Sequence, residues 1–140
     1  MIMFFDTETD KLPAKGQYNN PSHPETPHII EWAWLRTEDD GTVISGERHL
    51  IKPDGFEVGA GAQAIHGISQ EKLMEEGIPI SEAMQAFKLS LSECHTLVAH
   101  NINFDLLCVR AECLRLFGKL PNFDRLALIC TMHMMTNVCK

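Results

Sequence analysis

A chain of 140 residues, 44% of them hydrophobic and 22% charged, has the length and composition of one globular domain. Its 19 acidic and 12 basic residues give a net charge of −7, which taken alone argues against nucleic-acid binding unless part of the acid binds cations. No apolar run is long enough to span a membrane, and residues 1–5 lack the features of a signal peptide. We therefore expect a cytoplasmic protein with no membrane partner.

The cysteines indicate a reduced protein without a disulfide framework. There are five of them, an odd number, and no two form a CxxC pair. None of the seven histidines has zinc-ligand spacing to a cysteine or to another histidine. We therefore expect buried thiols and no structural zinc. The cysteines are Cys94, Cys108, Cys113, Cys130 and Cys139.

The first half of the chain predicts three strands and one long loop. Residues 1–5 form an apolar run without alternation, which is typical of a strand buried on both faces. Residues 10–27 are rich in proline and asparagine and predict a surface loop whose length indicates function or mobility. Strands are predicted over 28–36 and 42–51, joined by the turn residues 39–41.

The second half predicts helices that alternate with short strands. Ser69 is expected to cap a short helix that ends before Gly77, and Ser81 to cap a longer helix with an apolar stripe. This alternation indicates an α/β domain with a mixed sheet, in which helical crossovers make the later strands parallel to the first. The remaining predicted elements are a strand over 96–99, a helix over 103–117 and a strand over 126–131.

Carboxylates follow two of the predicted strands. Asp6 and Glu8 are two residues apart just after the first strand, so an extended chain directs both side chains to one face. Asp105 lies in the first turn of the helix that follows the fourth strand, where the helix dipole favours a negative charge. If the first and fourth strands are neighbours, these groups meet at the carboxyl ends of the strands, where α/β sheets form their sites.

Three converging carboxylates favour a site for hard divalent cations. They repel one another unless cations lie between them, and oxygen ligands suit Mg²⁺ or Mn²⁺ better than zinc. Two such ions, about 3.5–4 Å apart, can clamp the attacking and leaving oxygens of a phosphodiester. Each motif alone has a plainer reading: carboxylates are common at strand ends, and Asp105 could stabilise its helix with Asn101 or Asn103 as the N-cap. Together, in this order, they favour the metal site.

Three segments of the chain stand out together. They are Phe5-Asp6-Thr7-Glu8-Thr9, Ile65-His66-Gly67-Ile68, and Val98-Ala99-His100-Asn101 followed by Phe104-Asp105. In this order they resemble the DEDD 3′–5′ exonucleases, the DnaQ-like members of the ribonuclease H-like superfamily, and the resemblance runs from residue 2 to about residue 131. The second segment resembles the branch of that family in which the general base is a histidine.

The resemblance implies a fold, a reaction and a set of site residues. The fold would be a mixed five-stranded sheet of order 3-2-1-4-5, with the second strand antiparallel and helices flanking the sheet. The reaction would be metal-dependent 3′–5′ exonucleolytic release of nucleoside monophosphates from a nucleic acid with a free 3′ end, DNA rather than RNA. Two Mg²⁺ or Mn²⁺ ions would be the cofactors, and a polymerase or repair complex a further partner. Catalysis and metal binding would fall to Asp6, Glu8 and Asp105, and substrate binding to Thr7, Thr9, His66, Asn101 and Phe104.

The sequence departs from the family pattern near its C-terminus. The family carries a fourth carboxylate and the catalytic histidine on a later helix, and neither is found here. Asp124 is the last acidic residue and precedes the fifth strand, while His133 has no aspartate four or five positions later. We therefore expect residues 1–140 to form a single exonuclease domain that is incomplete at its C-terminus, with the last helices missing. Such a chain should by itself be weakly active or inactive.

Two other functions stay open. A non-catalytic nucleic-acid-binding or interaction module would keep the fold without the chemistry, and Asp6→Ala would then leave nucleic-acid affinity unchanged. A metal-dependent phosphoesterase acting on small nucleotides would use the same carboxylates. The exonuclease reading leads because neither alternative needs His66 or the stretch 99–105.

Overall fold

The computed structural model of the chain describes residues 1–135, which contain one five-stranded sheet. Its order is β3-β2-β1-β4-β5; β2 is antiparallel to β1 and to β3, whereas β4 is parallel to β1 and β5 is parallel to β4. The predicted strand order and directions are therefore confirmed. The strands are β1 (Ile2–Thr9), β2 (Ile29–Thr37), β3 (Val43–Leu50), β4 (Thr96–Ala99) and β5 (Ala127–Cys130). The helices are α1 (Ala60–His66), α2 (Gln70–Glu76), α3 (Ile80–Leu91), α4 (Ile102–Phe117) and α5 (Thr131–Met135).

The main core packs aromatic rings of the sheet against α3. The ring of Phe87 lies 5.7 Å from that of Phe5, 4.4 Å from that of Trp32 and 5.4 Å from that of Trp34, measured between centroids. All four side chains are buried. Because large rings remove the most apolar surface from water, this cluster fixes β1 and β2 beneath the helix.

Four of the cysteines fall within the described residues, and all four are free. Three of them are buried: Cys94, Cys108 and Cys113. Cys130 is partly exposed, so the expectation of buried thiols holds for three of the four, while Cys139 and the predicted missing helices lie outside the described residues. No helix in the described part of the chain combines the length and apolarity needed to cross a membrane.

Three sequence predictions about the elements need correction. β1 continues to Thr9, because its polar second half still pairs with β2. The cap of α3 is Pro79, with no side-chain cap bond, so Ser81 lies inside the helix. Helix α1 was not predicted as an element. By contrast, the cap at Ser69 is confirmed, since its hydroxyl accepts a hydrogen bond of 3.1 Å from the Lys72 backbone N–H.

β1 is longer than its parallel neighbour, and this difference positions the site. The β1–β4 pairing ends at Phe4 and Val98, whereas β1 runs on for five more residues. Beyond that point β1 is paired only with β2. In the second half of β1, the edge that faces away from β2 is therefore unpaired. The start of α4, which follows β4 after two residues, can contact this edge.

Candidate functional site

The carboxylate of Asp105 is attached directly to β1. Its Oδ1 accepts a hydrogen bond of 3.0 Å from the Thr7 backbone N–H and one of 2.7 Å from the Thr7 hydroxyl. Asp105 is only 2% exposed and Thr7 only 6%. The hydrogen bonds occupy the edge of β1 that β4 no longer pairs. As a result, the first turn of α4 is held against the segment that carries Asp6 and Glu8.

The three predicted metal ligands are linked through Asp6, whose charge raises the pKa of both Glu8 and Asp105. Burial raises the pKa of Asp105 to about 7; the charge of Asp6 raises it further, and the hydrogen bonds from Thr7 oppose the rise. Burial raises the pKa of Asp6 as well, as does the charge of Glu31. The pKa of Glu8 is raised by burial first and then by Asp6. The structure thus brings the three carboxylates into one electrostatic unit.

The donor set fits a hard divalent cation in kind. Carboxylate oxygens are what Mg²⁺ and Mn²⁺ prefer, and a cation would stabilise the charged form of the three carboxylates, whose pKa values are raised mainly by burial. Within residues 1–135, however, no three His, Cys, Asp or Glu side chains are already grouped closely enough to hold an ion. The chemistry of the ligands therefore suits the metal, and their present spacing calls for adjustment of side chains when an ion binds.

A cavity of about 460 Å³ opens beside these carboxylates, with Glu8 in its wall. His66 lines it and is tied to the main chain through both ring nitrogens: Nδ1 accepts from the Ile68 N–H at 3.0 Å, and Nε2 lies 3.2 Å from the Thr9 carbonyl oxygen. His66 therefore joins α1 to the end of β1. Its ring is positioned as a wall of the cavity. The full lining is Thr7, Glu8, Thr9, Asp10, Lys11, Leu12, Gly59, Gly61, Ala62, Ile65, His66 and Phe104.

The other predicted substrate-binding residues fall into two groups. Thr9 and Phe104 line the cavity, although the Thr9 hydroxyl donates to the Lys11 carbonyl oxygen at 2.9 Å. Asn101 lies outside this cavity at the N-cap position of α4, where its φ of 58° is left-handed and its side chain makes no cap hydrogen bond. Asparagine tolerates this conformation better than most residues. The sharp turn allows α4 to begin immediately beyond β4.

Two charged neighbours of the carboxylates were not among the predicted site residues. Glu31 pairs with Glu8 in the β1–β2 register and raises the pKa of both Asp6 and Glu8, while its own carboxylate forms an ion pair with Arg48. His100 lowers the pKa of Asp6, and its Nδ1 lies 3.1 Å from the Thr131 hydroxyl. A glutamate within an otherwise apolar strand was the available signal for Glu31.

A sequence model of the exonuclease family, of the RNase T type, matches residues 3–140. No curated protein sequence matches the chain.

Several solved exonuclease I structures share the fold. That of the Escherichia coli enzyme in complex with a 5cy-dA13 oligonucleotide is 19% identical, with a TM-score of 0.77, over 96% of this chain and 28% of that chain. The zinc-bound form of the E. coli enzyme in complex with single-stranded DNA has the same identity, TM-score and coverage. The moderately thermophilic exonuclease I of Methylocaldum szegediense is 20% identical, with a TM-score of 0.74 and the same coverage. This chain therefore spans less than a third of the length of these structures, and at such identities the likeness concerns the fold.

Proposed function

The chain belongs to the RNase T exonuclease family, and we propose that it is a metal-dependent 3′–5′ exonuclease that releases nucleoside monophosphates. Its substrate is a nucleic acid with a free 3′ end, DNA in preference to RNA. The DNA oligonucleotides bound in the E. coli exonuclease I structures support this choice of substrate class. The four free cysteines of the described residues fit the cytoplasmic location we propose. A polymerase or repair complex as a further partner stays a prediction.

The attachment of Asp105 to Thr7 is the observation that most directly supports this function. Its two hydrogen bonds hold the carboxylate of α4 beside the segment of β1 that carries the other two carboxylates. A protein gains no stability by burying a carboxyl group whose pKa has risen to about 7. Such an arrangement is understandable where the carboxylates serve to hold cations.

We assign separate roles in the reaction to the carboxylates, to Thr7 and to the cavity beside Glu8. Asp6, Glu8 and Asp105 would hold Mg²⁺ or Mn²⁺, which when bound polarises a phosphodiester and makes a water molecule a better nucleophile. Thr7 fixes the orientation of Asp105 through its two hydrogen bonds. The cavity beside Glu8 receives the terminal nucleotide, with Ile65 and Leu12 as apolar walls and His66 holding α1 in place.

One observation favours a second candidate, a nucleic-acid-binding module that does not hydrolyse its ligand. The described residues contain no ready group of three metal-ligating side chains. In this case the carboxylates would have no part in binding. Substitution at Asp6 then has no effect on affinity for an oligonucleotide, whereas the exonuclease requires Asp6 for hydrolysis.

The two candidates are separated by a degradation assay with Mn²⁺. The exonuclease should shorten a 5′-labelled single-stranded DNA step by step. When the label is at the 3′ end, the labelled nucleotide should be released in the first step. An RNA of the same sequence should be degraded more slowly. Asp6→Asn should reduce the rate by at least about 100-fold, since it removes an anionic ligand of the cation that would act on the reacting phosphate. Asp124→Asn, an exposed aspartate on the segment before β5, is the matched control.

Equal and measurable rates of hydrolysis for the Asp6→Asn variant and the unaltered chain would remove Asp6 from the mechanism. Binding of the oligonucleotide without hydrolysis, and with the same affinity after Asp6→Asn, would establish the non-catalytic module instead.

A further inference from the structure

Helix α4 contacts the sheet through a second buried carboxylate, that of Glu112. Glu112 is 3% exposed, and its Oε1 accepts a hydrogen bond of 3.0 Å from the backbone N–H of Ile29, the first residue of β2. Asp105 lies seven positions earlier on the same helix, which places the two carboxylates on one face, about two turns apart. The helix is thus attached to β1 through Asp105 and to β2 through Glu112.

Arg115 lies beside Glu112 and attaches the connection between β1 and β2 to the same helix. Its Nη1 is 3.2 Å from Glu112 Oε1 and donates to the Pro27 carbonyl oxygen at 3.1 Å, and its Nη2 donates to the Thr26 carbonyl oxygen. His28 Nδ1 lies 3.6 Å from the same oxygen of Glu112. A buried ion pair contributes little net stability relative to apolar packing, so Glu112 is better explained by what it orients.

Ile29 lies at an irregularity of the sheet next to Glu8. The pairing register of β1 and β2 shifts between Glu8 and Thr9, where Ile29 becomes the partner of Thr9. Such β-bulges redirect side chains and are common beside active sites. Glu112 binds the Ile29 N–H from α4, while His66 Nε2 of α1 lies 3.2 Å from the Thr9 carbonyl oxygen. Side chains from two helices therefore fix the sheet at the point where β1 carries Glu8.

A helix that is attached to a sheet at one point can still pivot about that point. The two hydrogen bonds from Thr7 hold the first turn of α4. The bond from Ile29 holds the same helix two turns later, at Glu112. Because Asp105 is the fourth residue of α4, a small rotation of the helix would take its carboxylate away from Thr7. The second attachment prevents this rotation.

We propose that Glu112 is a positioning residue of the carboxylate site: its hydrogen bond to Ile29 holds α4, and with it Asp105, in place against the bulge beside Glu8. This inference rests on the proposed function. Glu112 lies outside the cavity beside Glu8, so it acts through Asp105 and not on the substrate. Removal of the acceptor leaves the Ile29 N–H buried without a partner, which favours conformations in which α4 is displaced. Asp105 then contacts Thr7 less often, although its carboxylate is intact.

The test compares substitutions of Glu112 in the metal-free protein. In Glu112→Gln the amide oxygen can replace Oε1 as the acceptor for Ile29, whereas Glu112→Leu has a similar size and no acceptor. The NMR resonance of the Thr7 amide proton reports on its hydrogen bond to Asp105. We expect Glu112→Leu to move this resonance upfield, towards its position in Asp105→Ala, where the bond is absent. Glu112→Gln should leave the resonance in place.

The affinity for Mn²⁺, measured by the loss of the EPR signal of the free ion, gives a second readout. Glu112→Leu should bind Mn²⁺ about tenfold more weakly than the unaltered chain, because an unsatisfied buried donor opposes the position of α4 that Asp105 requires. Glu112→Gln should keep the affinity of the unaltered chain. If Glu112→Leu fails to fold, Glu112→Asp gives the same comparison, since it keeps the charge but is one methylene shorter and loses the bond to Ile29.

Leu91→Ala is the matched control, since it removes a buried apolar side chain of α3 and lowers the stability without removing a polar group. It should change neither the Thr7 resonance nor the affinity for Mn²⁺. A change in Leu91→Ala as large as that in Glu112→Leu would reduce the effect to a general loss of stability and overturn the proposal.

The remaining outcomes separate the role of Glu112 from the proposed function. An unchanged Thr7 resonance in Glu112→Leu or Glu112→Asp overturns the positioning role and leaves the exonuclease in place. An equal upfield shift in Glu112→Gln and Glu112→Leu overturns the role of the bond to Ile29, because the acceptor is kept in the first variant. Absence of Mn²⁺ binding by the unaltered chain overturns the metal-dependent function, and the Thr7 resonance alone then decides whether Glu112 positions Asp105.

Discussion

The two faces of β1 differ in what they contribute to the molecule. Met3 and Phe5 face the core and are at most 5% exposed, whereas Phe4, between them, is 41% exposed on the opposite face. Asp6 and Glu8 follow Phe4 at intervals of two and share its face. One strand thus alternates between side chains that stabilise the fold and side chains available for chemistry. Substitutions on the first face should change the free energy of unfolding, and those on the second should change activity.

Phe4 and Phe5 allow the sharpest test of this difference, because they are adjacent residues of the same type. Phe5→Ala removes a ring packed against Phe87 and should lower the free energy of unfolding by about 3–5 kcal/mol. Phe4→Ala should lower it by only about 1 kcal/mol, since much of that ring is already in water. Urea denaturation measures both values. An equally large loss for Phe4→Ala would mean that its face of the sheet is covered in solution.

Asp105 is hydrogen-bonded to Thr7 at the edge of β1, and its buried charge should make the metal-free protein less stable. Its folded-state pKa of about 7 lies above the ordinary value of 3.8, so the folded chain keeps a proton that the unfolded chain has lost. Stability should therefore fall as pH rises from about 4 to about 7 and then stay lower. Asp105→Asn has no titrating group and can still accept the hydrogen bonds from Thr7.

We therefore expect Asp105→Asn to be the more stable protein at pH 8 in EDTA, by about 4 kcal/mol at most, with the difference vanishing near pH 4. Thermal unfolding across this pH range gives the comparison, and Asp124→Asn should follow the unaltered chain throughout. Equal stability of the Asp105→Asn and unaltered chains at every pH would show that burial of this carboxylate carries no penalty.

The strand order was predictable through the resemblance to the DEDD exonucleases, whereas the apolar runs and the helices between them predicted the strands and the direction of the later ones. The segments around Val98 and Ile129 are short, apolar and separated by a helix, which requires parallel strands and right-handed crossovers. The hairpin of β2 and β3 followed from its turn residues. The carboxylates could be placed near one another only on the condition that the first and fourth strands are neighbours, and the structure confirms that these strands pair.

The local sequence pattern could not predict features that depend on contacts between distant segments. The polar stretch from Asp6 to Thr9 resembled a loop, and it is a strand only because β2 offers a complete partner. Helix α1 has no buried residue and no side-chain cap, so neither periodicity nor capping marks it. The bond from Thr7 to Asp105 spans 98 positions and appears only when α4 is set beside the free edge of β1.

Substitution of His66 has the smallest expected effect on activity. It tests whether the His66 side chain supports the structure of the cavity or takes part in the reaction. Both of its ring nitrogens are occupied by main-chain groups, so its removal should loosen α1 without removing a proton-transfer group. Each lost hydrogen bond contributes about 1 kcal/mol, so His66→Ala should weaken oligonucleotide binding about tenfold. The maximal rate and its pH profile should be unchanged in His66→Ala. His95 is an exposed histidine beside Asp39, and His95→Ala should change neither the oligonucleotide affinity nor the maximal rate. A 100-fold lower maximal rate together with the loss of one limb of the pH profile would instead show that His66 takes part in proton transfer.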